Sequence, residues 1–283
     1  MDELSVILRA KQFVGNVTAA PVDVLALARS LNVEVKESDQ LDSDEAGRTF
    51  KRGGQIFVVV NQNDDPYRQR FTILHELAHH VLELPSRHGE KLASTELERF
   101  GGRPFEEKLC DAFAAACLVP VHLIRGLSGE REFTADTIRD LSDLFQASKP
   151  CVASSFVRAS PLPLAYVLAE SGRIQNVITS AALRDLRIFV NHVTLPKTSA
   201  AAKALRNNSA TEIADLDASD WSTSDAAECC VVHEEAICSR RWNQTLSLLS
   251  FEQIEGGGTQ GASASEEDEL LPELTGILPW PRK

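Results

Sequence analysis

YRQRFTILHELAHHVLEL, residues 67–84, decides how this chain is read. Phe71, Leu74, Leu77, Ala78 and Val81 recur at helical spacing and give the stretch one apolar face. Inside it, HELAH at 75–79 fits the pattern H-E-x-x-H, in which one helical turn brings His75 and His79 to the same side. Two imidazoles so placed can share one metal. Zinc takes neutral imidazole nitrogen at about 2.0–2.1 Å, and a catalytic site keeps a fourth position open to water. Glu76 stands beside that position as a general base for a water whose pKa the metal lowers to about 7. The plain alternative is an amphipathic helix that carries a histidine pair by chance.

A third protein ligand is needed, and neither a third histidine nor a close glutamate follows at the usual spacings. Further along, FEEKLCDAFAAACLVP at 105–120 is a second strong helical pattern, stopped by Pro120. Glu107 and Asp111 stand four apart and share a face, while Phe113, Ala114 and Cys117 occupy others. Packed against the histidine helix, this segment offers Glu107 to the metal and Asp111 to orient a histidine nitrogen, with Glu106 as the competing ligand.

Ahead of the motif, residues 4–14 and 21–32 read as amphipathic helices, and VEVKES, AGRTF and QIFVVVN as strands of a small sheet, with Gly53 and Gly54 suited to a hairpin turn. A groove beside QIFVVVN is expected to take an extended peptide by strand addition. Residues 85–104 read as a surface connection with a short helix in ASTELERF. FTADTIRDLSDLF and KPCVASSFVRAS read as two short helices separated by QAS, a helix-turn-helix arrangement. Beyond Pro161, LPLAYVLAE, QNVITSA, ECCVVHEEAI and NQTLSLLSFEQ read as strands, and the polar, acidic stretch 204–228 as a long loop. The end of the chain has the Gly, Ser and acidic content of a disordered tail.

Taken together, RFTILHELAH and, downstream, EKLCDAFAAACLVP resemble the ImmA/IrrE metallopeptidases, over roughly the first 125 residues. The resemblance implies Glu107 as the third ligand, since it stands four before the Asp/Asn position held here by Asp111. Cys117 departs from the usual leucine, a place that a small buried thiol can fill. The fold expected is α+β: a zincin-like metallopeptidase domain at 1–128, helix-turn-helix-like helices at 129–160, a mixed α/β sensor or docking domain at 161–252 and a disordered tail at 253–283. The function implied is a regulatory zinc endopeptidase, of the stress-response kind, that cleaves a helix-turn-helix transcriptional repressor. A site of two histidines and one carboxylate also accepts Mn2+ or Fe2+.

Composition narrows the alternatives. No apolar stretch approaches the roughly 20 residues of a membrane span, and the acidic start lacks a secretory signal, so a soluble cytoplasmic protein is expected. Six scattered cysteines fit reduced thiols. A net charge of −12 disfavours nucleic acid, although a DNA- or partner-binding regulator with a structural zinc is the second reading, with Lys149 and Arg158 on its recognition helix. Tyr67 and Arg70 are weaker candidates for oxyanion contacts, and Cys229, Cys230 and His233 for a second metal site. His80, next in the chain after His79, is expected to face elsewhere, and His88, His122 and His192 have no motif around them. Nothing in the sequence speaks to oligomeric state.

Overall fold

An acidic cap opens each of the first two helices. Asp2 accepts the Ser5 N–H ahead of α1 (Glu3–Phe13), and Asp23 accepts the Ala26 N–H ahead of α2 (Val24–Ser30). The computed structural model describes residues 1–42, 45–85, 104–190, 192–240 and 243–254. The helix expected in ASTELERF and the tail from 255 onward lie outside them.

β1 (Val33–Ser38), β2 (Gly47–Arg52) and β3 (Gln55–Asn61) form a three-stranded sheet in the order β1-β3-β2. β3 runs parallel to β1 and antiparallel to β2, and Gly53 and Gly54, at φ +59° and +87°, make the two-residue turn between β2 and β3. One expectation changes here. QIFVVVN is the central strand, bonded on both edges, so it has no free edge on which a peptide could add. Val58 and Val60 point from it into the core, against the motif helix α3 (Pro66–Val81). Asp65 caps that helix on the Tyr67 N–H, and Pro66 sits in its first turn, where a missing donor costs nothing.

α4 (Phe105–Leu118), α5 (Val121–Glu130), α6 (Ala135–Phe145) and α7 (Lys149–Ala159) follow. α5 has no counterpart in the sequence reading: Pro120 ends α4 and also serves as the N-cap of α5, whose interior holds Gly126 and Gly129. Gln146 in the left-handed region ends α6, and the side chain of Ser148 caps α7.

The remaining elements are β4 (Leu164–Glu170), β5 (Arg173–Thr179), α8 (Ala181–Asp185), α9 (Ala200–Asn207), β6 (Thr211–Asp217), β7 (Cys230–Ser239) and β8 (Gln244–Gln253). The strands form an antiparallel sheet in the order β5-β4-β8-β7-β6. Alternation splits it cleanly: Leu164, Tyr166, Leu246 and Leu248 join the core of α1–α7, while Ala165, Val167, Leu249 and Phe251 pack on the other side with Trp221. Met1–Gln253 make up one compact unit. The boundary read at 128 falls two residues before the end of α5, and the one at 160 falls on the C-cap of α7. The architecture is mixed α and β.

The stretch 204–228 is not the long loop expected. It holds the end of α9, the edge strand β6 and two 3-10 turns, and its Trp221 is fully buried. β6 escaped notice because an edge strand with one wet face buries little; only Ala214 of TEIADLD is buried.

Glu234 of β7 is also fully buried. Its carboxylate accepts from the Ala200 and Ala201 N–H groups at the start of α9, from Trp221 Nε1 and from Ser247 Oγ, at 2.8–3.2 Å. Burial pushes its carboxyl above the ordinary range, and these donors pull against that. Glu234→Gln puts an amide NH2 where an acceptor is needed and strands at least one donor, so a loss of about 1–3 kcal/mol is expected in chemical denaturation. A variant as stable as the parent would show that these bonds do not hold α9 to the sheet.

Candidate metal centre

α3 and α4 lie side by side, and their facing turns bring three side chains together. His75, His79 and Glu107 are all buried, and one ligand atom from each lies within 4.8 Å of the others. His75 Nε2 is 3.0 Å from Glu107 Oε2, and His79 Nε2 is 3.5 Å from Glu107 Oε1. Tetrahedral bonds of 2.0–2.1 Å would set such ligand atoms roughly 3.3 Å apart, so the spacing suits a zinc-sized ion. Glu107 Oε1 is buried and accepts no hydrogen bond within the described residues. The donor set of two imidazoles and one carboxylate is one that zinc accepts.

Asp111, one turn beyond Glu107, accepts from His75 Nδ1–H at 2.9 Å and so leaves Nε2 for the cluster. Burial pulls the His75 pKa down, but the bonds to Asp111 and Glu107 outweigh it and raise the pKa to about 9. For Glu107, burial pushes the carboxyl up, while His75 and His79 more than offset that and hold it well below the usual carboxylate range. The cluster thus favours a carboxylate facing positive charge. Glu107, and not its neighbour Glu106, is the acid that joins the two histidines.

Glu76 is 1% exposed, and Thr49 Oγ1 of β2 donates to its Oε2 at 2.6 Å. The sequence reading missed Thr49, which is 27 residues away and sits in an unremarkable strand. β2 approaches α3 this closely because of Gly47, where an added Cβ would lie 2.6 Å from Thr72 Cγ2 and 2.8 Å from the Val59 carbonyl oxygen. Gly47→Ala should therefore cost about 1–3 kcal/mol through overpacking. Thermal melting checks this, and an unchanged midpoint would mean that the strand has room to move away.

Other candidates fall away from the cluster. Tyr67 donates to Asp143, and Arg70 to the carbonyls of Gln146 and Val22, so both tie α3 to its neighbours. His80 is exposed on the far side of α3. His122 bonds the Val17 carbonyl, and the His192 ring lies 6.5 Å from that of Trp221. His233 donates to Asp215 at 2.7 Å, and no metal-competent group forms around it and the Cys229–Cys230 pair among the described residues. His88 lies outside the described residues.

Residues 28–153 match the IrrE N-terminal-like domain. The radiation response metalloprotease IrrE of Deinococcus radiodurans is 26% identical over 119 residues, covering 41% of this chain and 35% of that protein. The chain thus matches about a third of the length of that curated relative. A Mycobacterium tuberculosis transcriptional regulator of known structure aligns over 87% of this chain and 76% of its own, with a TM-score of 0.58 and 13% identity, a likeness of fold alone. No single helix among the described residues is long and apolar enough to cross a membrane. Segment 28–153, which carries the buried histidine pair and Glu107, is thus similar to the IrrE N-terminal-like domain.

Proposed function

We propose that the chain is a zinc-dependent endopeptidase, with His75, His79 and Glu107 as ligands, Glu76 as general base and Asp111 orienting His75. The observation that carries this reading is the convergence of three buried ligand atoms beside a buried glutamate. A bound zinc ion supplies Lewis acidity and lowers the pKa of water to about 7. Glu76 accepts the proton of the attacking water and hands it to the leaving amine. Thr49 fixes the rotamer of Glu76 through the hydroxyl that it donates. The division at 1–128, 129–160 and 161–252 is kept as a proposal about roles: catalysis, a helical brace, and a sensor or docking part.

The substrate strand belongs on β2. Arg52 pairs with Gln55 at the hairpin turn, and the Asn61 N–H donates to the Ala46 carbonyl at 2.9 Å, so even-numbered residues of β2 bond β3. The main-chain groups of Gly47, Thr49 and Lys51 then face outward along an edge that borders Glu76. An extended segment of a protein such as a helix-turn-helix repressor adds to that edge. The DNA-binding alternative finds less support, since α7 buries Val152, Ala153, Phe156 and Val157 and its Arg158 pairs with Glu3 at 2.9 Å.

Incubation of the purified chain with candidate repressors, with zinc and with chelator, tests the proposal. Cleavage that appears with zinc and stops with chelator is expected; cleavage indifferent to chelator would refute the mechanism.

A further inference from the structure

α4 has a second lining face. Ala112, Ala115 and Ala116 follow one another at helical spacing beside Asp111 and border a cavity of about 630 Å³. Small-molecule sites occupy roughly 300–1,000 Å³. The opposite wall comes from the sheet. Tyr166 and Leu168 of β4 point to the same face, and Ile178 of β5 stands across from Tyr166 in register.

A stripe of alanines explains the room but not an occupant. Tyr166 supplies the missing argument: it is 2% exposed, it lines the cavity, and its hydroxyl has no hydrogen-bond partner among the described residues. The hydroxyl opens on the cavity rather than being sealed in protein, so an occupant can accept from it. Burial pushes its pKa up, which keeps it a neutral donor. Lys11 and Lys108 also line the cavity, are exposed, and make no ion pair among the described residues, in a chain whose net charge is −12. Arg158, a third cation on this lining, is already paired with Glu3.

We infer that this cavity binds an amphiphilic carboxylic acid that carries a second oxygen along its hydrocarbon body. The body lies against the alanines, Leu168 and Ile178, the carboxylate meets Lys11 and Lys108, and the second oxygen accepts from Tyr166. Asp111 lines the cavity as well as bonding His75, so the site adjoins the metal cluster, but the inference rests on no part of the peptidase reading.

Calorimetric titration of the full chain with 10-hydroxydecanoate, decanoate and decan-1-ol tests it. The hydroxy acid should bind about tenfold tighter than decanoate, and the alcohol weakest. Tyr166→Phe, a conservative change, should erase the advantage of the hydroxy acid and leave decanoate unaffected. Lys108→Glu should weaken both acids about tenfold and spare the alcohol. Ala116→Leu on α4 and Ser155→Leu on α7 fill the cavity from different walls, and both should abolish binding without lowering the melting temperature. No saturable heat with the parent chain, equal binding by the filled variants, or decan-1-ol as tight as decanoate would overturn the inference. So would a doubled mass in sedimentation that both filled variants abolish, because a second copy would then occupy the cavity.

Discussion

Zinc at a hundred times its dissociation constant should stabilise the chain by about 2.7 kcal/mol, and His79→Ala or Glu107→Ala should remove that gain. Loss of a mere orienting partner already lowers metal affinity about 10- to 100-fold, so loss of a ligand should lower it at least a hundredfold. The geometry makes the comparison sharp. Glu107 has one oxygen 3.0 Å from His75 and the other 3.5 Å from His79, whereas Glu106 lies outside the group. Glu106→Ala should therefore keep both affinity and thermal shift. Zinc titration with a competing chelator, followed by melting curves, reads both quantities. Full occupancy in Glu107→Ala together with loss in Glu106→Ala would reverse the assignment.

Glu76→Gln should retain zinc and reduce peptide hydrolysis about 10²–10⁴-fold. The glutamine carbonyl oxygen still accepts from Thr49, so the side chain keeps its place and its volume while losing its basicity. Metal content and melting temperature should match those of the parent, which separates a missing base from a damaged fold. Parent-like turnover in this variant would remove Glu76 from the mechanism. A metal-free variant would mean that its charge is needed to hold the ion rather than to move a proton.

The sequence by itself was enough wherever the information is local or periodic. The helical period of 67–84 sets His75 and His79 on one side of one helix, and the same period places Asp111 one turn from Glu107. The resemblance of these two segments to a known family selected Glu107 over Glu106, and the packing of α3 on α4 places it accordingly. Polar segments were harder to read. β6 buries too little to show an alternating pattern, and α5 follows directly on a proline and holds two glycines, which argue against a helix.

Tertiary structure alone decided the contacts between distant segments. Thr49 meets Glu76 only because a hairpin folds β2 onto β3 and Gly47 lets that strand close on α3; neither residue is unusual in its own stretch. Strand order is likewise not written in any single strand, and it moved the free edge from β3, rich in valine, to β2. The cavity beside α4 needs α1, α7 and the second sheet to enclose it. Side-chain periodicity is a property of one element, while edges, cavities and cross-element hydrogen bonds are properties of how elements meet. Their energies depend on pairs of residues far apart in the chain, and a one-dimensional pattern carries no record of which pairs those are.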